Sequence, residues 1–426
     1  MADATLDFEV VVVGAGPAGI AAATVAAEAG HRVALVESAP WVGGQIWRDS
    51  ASGSIPRIGR LWLNRLQACG VRVFNEATVI DSPQIGRLRI ERTDRILDLN
   101  WEKLVLAVGA RELFIPFPGW TLPNVFGAGG LQLLVKGGWP VAGKRIAVAG
   151  SGPLLFAVAA KLRACGAQVP LIAEQSDFGK LLRFGLALPW MSPSKLVQAA
   201  AYKAKLLGVP YRSGCWPLEA HGDLELECVT FRSGTKTWTE DCDGLACAFG
   251  LVPNTELPQL LGCALQQGFV KVDAWQKTSV NGVYCAGEPT GIGGVDRALV
   301  EGQIAGFTTV RQRNRARRLF GRRAKAHRFS RVLEQTFAPR AELRTLATPE
   351  TIICRCEDVT LKEIVPFDQW RAAKLQTRCG MGNCQGRTCG SATQFLLGWK
   401  NDSIRPPLFP ARIDSLVQRY RQSTLP

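Results

Sequence analysis

Residues 8–37 read FEVVVVGAGPAGIAAATVAAEAGHRVALVE, and the order of their parts decides the fold. Val10, Val11, Val12 and Val13 form a β-branched run suited to a strand buried on both faces. Gly14, Gly16 and Gly19 follow as G-x-G-x-x-G, with Pro17 and Ala18 inside the pattern. At a strand-to-helix turn the first glycine permits the tight turn and the second lets backbone approach a pyrophosphate. The third lets helix and strand pack closely. The start of the next helix turns N–H groups and the positive end of its dipole toward phosphate. Glu37 closes the second strand 21 positions after Gly16, where a carboxylate would meet a ribose hydroxyl. Strand, glycines, helix, strand and acid at these spacings predict a dinucleotide site. The alternative is a tight βα turn with no ligand.

The same stretch contains 18 uncharged residues, 10–27, the lower limit for a transmembrane helix. Glycines and Pro17 interrupt it, and Asp3, Asp7 and Glu9 precede it with no cation. It therefore reads neither as a membrane span nor as an export signal. The expected compartment is the cytoplasm, where clustered cysteines suggest metal or redox work.

The chain has 426 residues, 47% of them apolar, so it can bury a large core in two or three domains. Its net charge is +15, and 311–328, RQRNRARRLFGRRAKAHR, holds much of the excess without one acid. That segment reads as a solvated helix followed by a linker, or as a docking surface for an acidic subunit or electron carrier. No signature of nucleic-acid binding accompanies it.

Beyond Glu37, Gly43, Gly44 and Gln45 permit close backbone approach to a cofactor. Residues 55–68 look helical and 71–101 β-rich; a buried strand over 104–108 then carries Ala107 and ends at Gly109. Ala107 and Gly109 join Gly44 and Gln45 as candidate cofactor-binding positions. A second βαβ unit begins at Arg145, RIAVAGSGPLLFAVAAKLRACGAQVPLIAE. Gly150 and Gly152 match the first two glycines, Leu155 stands in place of the third, and Glu174 lies 22 positions after Gly152. A leucine there would push helix and strand apart, so NAD(P), another adenine nucleotide such as ATP, and no ligand at all stay open. Residues 281–302, NGVYCAGEPTGIGGVDRALVEG, form another strand-to-helix turn, at Gly287 and Glu288. Glu288 suits a sugar-chain hydroxyl or, alternatively, caps the helix that follows.

Five cysteines lie close together near the end: Cys354-Arg-Cys356, then Cys379, Cys384 and Cys389 in RCGMGNCQGRTCG. Four thiolates in two close pairs can hold a [2Fe–2S] cluster or zinc, and C-x-C is tight for structural zinc. The remaining eight cysteines are scattered and read as small buried hydrophobes. His31, His221 and His327 read as structural, and no nucleophile–base pair is apparent.

Two nucleotide-type units and a late Gly-Glu turn resemble the two-dinucleotide-domain flavoproteins that include the pyridine nucleotide-disulfide oxidoreductases. The resemblance implies FAD on Gly14, Gly16, Gly19 and Glu37, with Gly287 and Glu288 at its ribityl chain, and NAD(P)H on the inserted second unit. Disulfide chemistry does not carry over, because GGQIWRDS lacks the redox cysteine pair. ICRCEDVTLKEI and RCGMGNCQGRTCG resemble the bacterioferritin-associated-ferredoxin type of [2Fe–2S] domain. By that likeness Cys354, Cys356, Cys384 and Cys389 are the ligands, with Cys379 a possible substitute.

Both features in one chain are similar to a narrower family of opine oxidase, hydrogen cyanide synthase and dye-linked proline or hydroxyproline dehydrogenase subunits. It implies an electron-transfer subunit of a heteromeric enzyme that oxidises a C–N bond. The implied partners are a second flavoprotein of amino-acid-oxidase or sarcosine-oxidase type, FMN at the subunit interface and a small ferredoxin-like subunit. A self-sufficient NAD(P)H reductase and a non-catalytic scaffold are the rival readings. The expected architecture is α/β: two Rossmann-like domains, the second inserted in the first, and a small helical iron–sulfur domain. The expected boundaries are 1–118 and 245–310 for FAD, 119–244 for the second nucleotide unit, 311–345 for a basic linker and 346–426 for the iron–sulfur domain and tail.

Overall fold

The computed structural model describes residues 4–47, 55–400 and 404–416. The valine run lies within the strand Ala4–Val13, at the centre of a seven-stranded sheet. Val33–Val36 and Ile96–Leu106 flank it in parallel, and each pairs along the valine run. Val283–Cys285 returns from far along the chain to pair with Leu104, Val105 and Leu106. The helix Pro17–Ala27 is buried along most of its length, so its residues are small. It packs on the helix Gly294–Thr309 at backbone distance: a Cβ on Gly302 would stand 2.1 Å from the Ala18 carbonyl oxygen. A larger side chain there would force the two helices apart, costing about 1–3 kcal/mol.

The second unit is a five-stranded parallel sheet built on Ile146–Gly150, with a three-stranded antiparallel sheet beside it. The chain crosses between the two domains on a two-stranded link, Ala110–Glu112 against Leu251–Pro253.

Two expected boundaries are corrected. Gly244–Ala248 pairs with Ile146–Gly150 and so belongs to the second sheet, not to the first domain from residue 245. Its run DGLACAFG is apolar enough to sit in the middle of either sheet, and only pairing decides. Residues 311–345 are not a linker: they hold the helices Arg313–Arg317 and Phe320–Phe337. The second of these puts Arg322, Lys325, Arg328 and Arg331 on exposed positions, turns Arg323 and His327 inward, and packs on the helices Phe178–Met191 and Gly294–Thr309. Residues 404–416 of the tail dock on the first domain: the Leu408 N–H donates to the Ile80 carbonyl, and Arg412 reaches Glu91; 401–403 and 417–426 lie outside the described residues. No helix among the described residues is long and apolar enough to cross a membrane.

Candidate cofactor sites

At the first glycine turn the three glycines do three different things. Gly14 has φ +99°, and a Cβ there would stand 2.3 Å from the Ala107 carbonyl oxygen. A Cβ on Gly19 would stand 1.8 Å from the Gly14 oxygen, so strand, turn and helix touch through backbone. Gly16 has nothing within 4 Å of the same position, which leaves open space above the turn. The helix begins at Pro17 with no side chain capping its N–H groups. Open space and uncapped donors fit a pyrophosphate. Glu37 is only half-buried and accepts from the Ala15 and Ala39 N–H groups at 2.8 and 2.9 Å, which fixes it at the edge of the turn. Gly44 approaches Gly16, and Gly109 at φ +70° faces open space. Gln45 is exposed and lies under Lys136, whose Nζ reaches its carbonyl oxygen.

The late turn closes on the same place. A Cβ on Gly287 would stand 2.9 Å from the Ala18 Cβ. Glu288 accepts from the Gly293 and Gly294 N–H groups at 3.2 and 2.9 Å, so it caps the helix. Burial pushes its carboxyl above the usual range. Beneath it lies a residue the sequence reading missed, Glu301, 1% exposed. Its carboxylate accepts from the Gly287 N–H, Thr290 and Arg297, and lies 2.7 Å from His327 Nε2. Burial raises its pKa, but the bonds to His327, Arg297 and Thr290 outweigh it and hold the group below the ordinary carboxylate value. An acid inside an apolar helix, four residues after an arginine, was the available signal.

The second glycine turn differs. Gly150 and Gly152 have φ +136° and +91°, as such a turn needs. Phe337, however, lies over Gly152, its ring 3.5 Å from the Cβ position. The segment after it runs along the ends of the two central strands. Ser151 donates to the Phe337 carbonyl, Ser176 to that of Thr336 and Gln175 to that of Ala338; the Arg340 N–H donates to Gln175. Glu174 is fully buried and accepts from the Gly152 and Ser176 N–H groups. A dinucleotide would need this crevice at the strand ends. The residues present do not fit one, because the chain itself fills the place.

Near the C-terminus the structure brings Cys354, Cys379 and Cys389 together, their sulfurs within 4.8 Å of one another and all three buried. Cys384 lies close enough to Cys389 and to Cys356 to interact with both, at the edge of this group of three. The sulfurs share protons: contact with Cys379 and Cys389 holds the Cys354 thiol down and contact with Cys389 holds Cys384 down, while the same contacts push Cys379 and Cys389 up. The Gly380 N–H donates to the Cys354 sulfur at 3.3 Å, and Gly380 and Gly386 curl the loop against Trp370. Of the four expected ligands Cys354 and Cys389 lie in the group of three, and its third member is Cys379, expected only as a substitute. Cys356 is exposed, and Cys379 sits deeper than either Cys356 or Cys384. The donor set fits an iron–sulfur cluster.

The cluster loop touches the first domain at one informative point. Arg111, two residues past Gly109, donates from Nε to the Arg387 carbonyl, which lies between Cys384 and Cys389. The same guanidinium pairs with Glu256 at 2.8 Å and with Asn254, whose amide group donates to the Val108 carbonyl. Elsewhere, His31 pairs with Glu9 and His221 bonds Thr230, both structural contacts. Burial pushes the Cys215, Cys242, Cys247 and Cys285 thiols up, as expected of small core residues.

Residues 8–302 match the family model of pyridine nucleotide-disulphide oxidoreductases. Hydrogen cyanide synthase subunit HcnB of Pseudomonas protegens is 31% identical, over 93% of this chain and 91% of its own length. The A-type opine oxidase subunit of Rhizobium meliloti is 32% identical, over 96% and 98%. The crystal structure of L-proline dehydrogenase from P. horikoshii shares the fold over 98% of this chain and 80% of its own, with TM-score 0.68 and 19% identity. The chain belongs to the pyridine nucleotide-disulphide oxidoreductase family, with hydrogen cyanide synthase subunit HcnB and the A-type opine oxidase subunit among its full-length relatives.

Proposed function

We propose that this chain is the FAD- and [2Fe–2S]-holding electron-transfer subunit of a heteromeric dehydrogenase. The enzyme would oxidise the C–N bond of an amino acid, an imino acid such as proline or hydroxyproline, or an opine, and pass electrons to an acceptor other than oxygen. The observation that carries this reading is the bond from Arg111 to the Arg387 carbonyl, which sets the cysteine loop against the end of the strand that leads to Gly109. The names of the full-length relatives, which are subunits of an opine oxidase and of a hydrogen cyanide synthase, support the substrate class.

When bound, FAD exchanges electrons in pairs or singly and a [2Fe–2S] cluster takes them one at a time. The chain's own part is to hold and insulate. The open face of Gly16 and the uncapped helix start would receive the pyrophosphate, and Glu37 the ribose. Ala107, Gly109, Gly287 and Glu288 would line the remaining length, with Glu301 bracing the turn from below. Cys354, Cys356, Cys384 and Cys389 would hold the cluster, with Cys379 close enough to substitute. A second flavoprotein of amino-acid-oxidase or sarcosine-oxidase type would take the hydride from substrate, with FMN where the chains meet. A small ferredoxin-like subunit would complete the assembly in the cytoplasm. The rival NAD(P)H reductase needs the crevice that Phe337 fills, so we do not adopt it.

The test is electron paramagnetic resonance after dithionite. A reduced [2Fe–2S] signal that Cys384→Ser abolishes is expected; silence with bound zinc overturns the proposal. If substrate added to the assembled enzyme leaves this chain's flavin and cluster oxidised, the chain is a scaffold.

A further inference from the structure

The helices Phe178–Met191 and Pro193–Lys205 form a hairpin that the rest of the chain hardly covers. Leu188 is the buried residue of the first, and the second buries none. A helix of this length is marginal in water and gains its stability from a packed face. The inner side of the hairpin is held by Phe184, which packs on Phe329 and Phe337. The outer side carries Phe178, Leu182, Leu186 and Trp190, spaced by four and between 50 and 90% exposed. Residues four apart share a helix face, so this is one apolar ridge. Val197, 69% exposed, extends the apolar surface onto the second helix. A contiguous exposed ridge of this kind marks an interaction surface.

Charge defines what would sit there. From residue 178 to 218 the sequence has no Asp or Glu, but it has Arg183, Lys195, Lys203, Lys205 and Arg212, besides Lys180, which pairs with Asp177 at 3.8 Å. Lys195 pairs at 3.6 Å with Asp296, in the first turn of the helix that Glu288 caps. The second helix of the hairpin thus comes close to the helix start that follows the Gly287 and Glu288 turn. We propose that the hairpin is the docking face for the second subunit, whose matching surface is an apolar groove with an acidic rim. The proposal rests on the heteromeric reading above. It places the partner next to the proposed flavin cradle, where electrons must enter. Trp190 is the anchor, as a large rigid side chain at the centre of such a patch. An anionic bilayer shares part of this chemistry, but it gives no reason for the anchor to sit at a cofactor turn.

The experiment uses the tagged full-length chain and the amino-acid-oxidase-type flavoprotein that co-purifies with it. Zero-length carbodiimide coupling of the complex is expected to link Lys180, Lys203 or Lys205 to aspartates or glutamates of that flavoprotein. The double variant Leu186→Asp, Trp190→Asp is expected to bind it at least about thirty-fold more weakly, the scale of an interface hot spot. Its own flavin and cluster spectra should be unchanged. Equal affinity of variant and wild type, or cross-links confined to other surfaces or to a second copy of this chain, would overturn the docking face alone. So would flotation of the wild type, but not the variant, with phosphatidylglycerol-containing vesicles. If the wild type purifies with no second flavoprotein, the docking face and the heteromeric reading fall together.

Discussion

The glycine turn at Gly14, Gly16 and Gly19 and the turn at Gly150 and Gly152 share a fingerprint and differ in what lies above them. Over Gly16 there is open space; over Gly152 lies Phe337. Glu37 sits half-buried at the edge of its turn, whereas Glu174 is sealed in and bonds only to its own neighbourhood. Both turns have the backbone geometry that the motif demands. The fingerprint therefore reports how strand meets helix. Whether a nucleotide can enter is decided by what a distant part of the chain packs against the turn.

The comparison can be broken most severely at the buried acid beneath the first site. Glu301→Ala leaves Arg297 without its carboxylate and the Gly287 N–H without an acceptor. It is expected to cost about 3–5 kcal/mol in urea unfolding, the usual result of halving a buried ion pair, and to release flavin. The same group predicts a pH dependence. Its folded pKa lies below the ordinary 4.5, so the stability it gives is present above that value. That stability is lost as pH falls through the lower folded value, and Glu301→Ala should flatten the acid limb.

Gly19→Ala comes next. Its Cβ would collide with the Gly14 oxygen, so about 1–3 kcal/mol of stability and the flavin should go together. The smallest effect on stability separates the two turns best. The Cβ of Gly16→Val meets no protein atom within 4 Å, so unfolding of the flavin-free chain should change little, while flavin retention falls about tenfold or more. Gly152→Ala, at φ +91°, should do the reverse: a loss of about 1 kcal/mol from strain, with flavin content intact. Equal flavin loss in both variants would mean that the turns are not different in kind.

How much of this was legible follows from sequence distance. The first βαβ unit could be read because its strand, glycines and acid lie within 30 contiguous residues. That the late cysteines gather could be read for the same reason, but not which of them: Cys379, expected only as a substitute, is one of the three buried sulfurs brought together. Cys379 reaches Cys354 only after the intervening helix folds back. The closure of the second turn rests on bonds such as Ser151 to Phe337, 186 positions apart, and no local pattern carries that. The dense charge over 311–328 concealed a packed helix, because cations fill its exposed face and say nothing of the face beneath. Gly244–Ala248 was misassigned because an apolar strand carries no label for its sheet.

If the first turn holds a redox nucleotide and the second is closed to nicotinamide, neither NADH nor NADPH should reduce the flavin. Anaerobic stopped-flow mixing of the flavin-loaded chain with NADPH, and separately with NADH, tests it most directly. Flavin absorbance is expected to stay unchanged over seconds at millimolar nucleotide and to bleach only with dithionite or through the substrate-fed partner. Rapid bleaching by either nucleotide alone would contradict it.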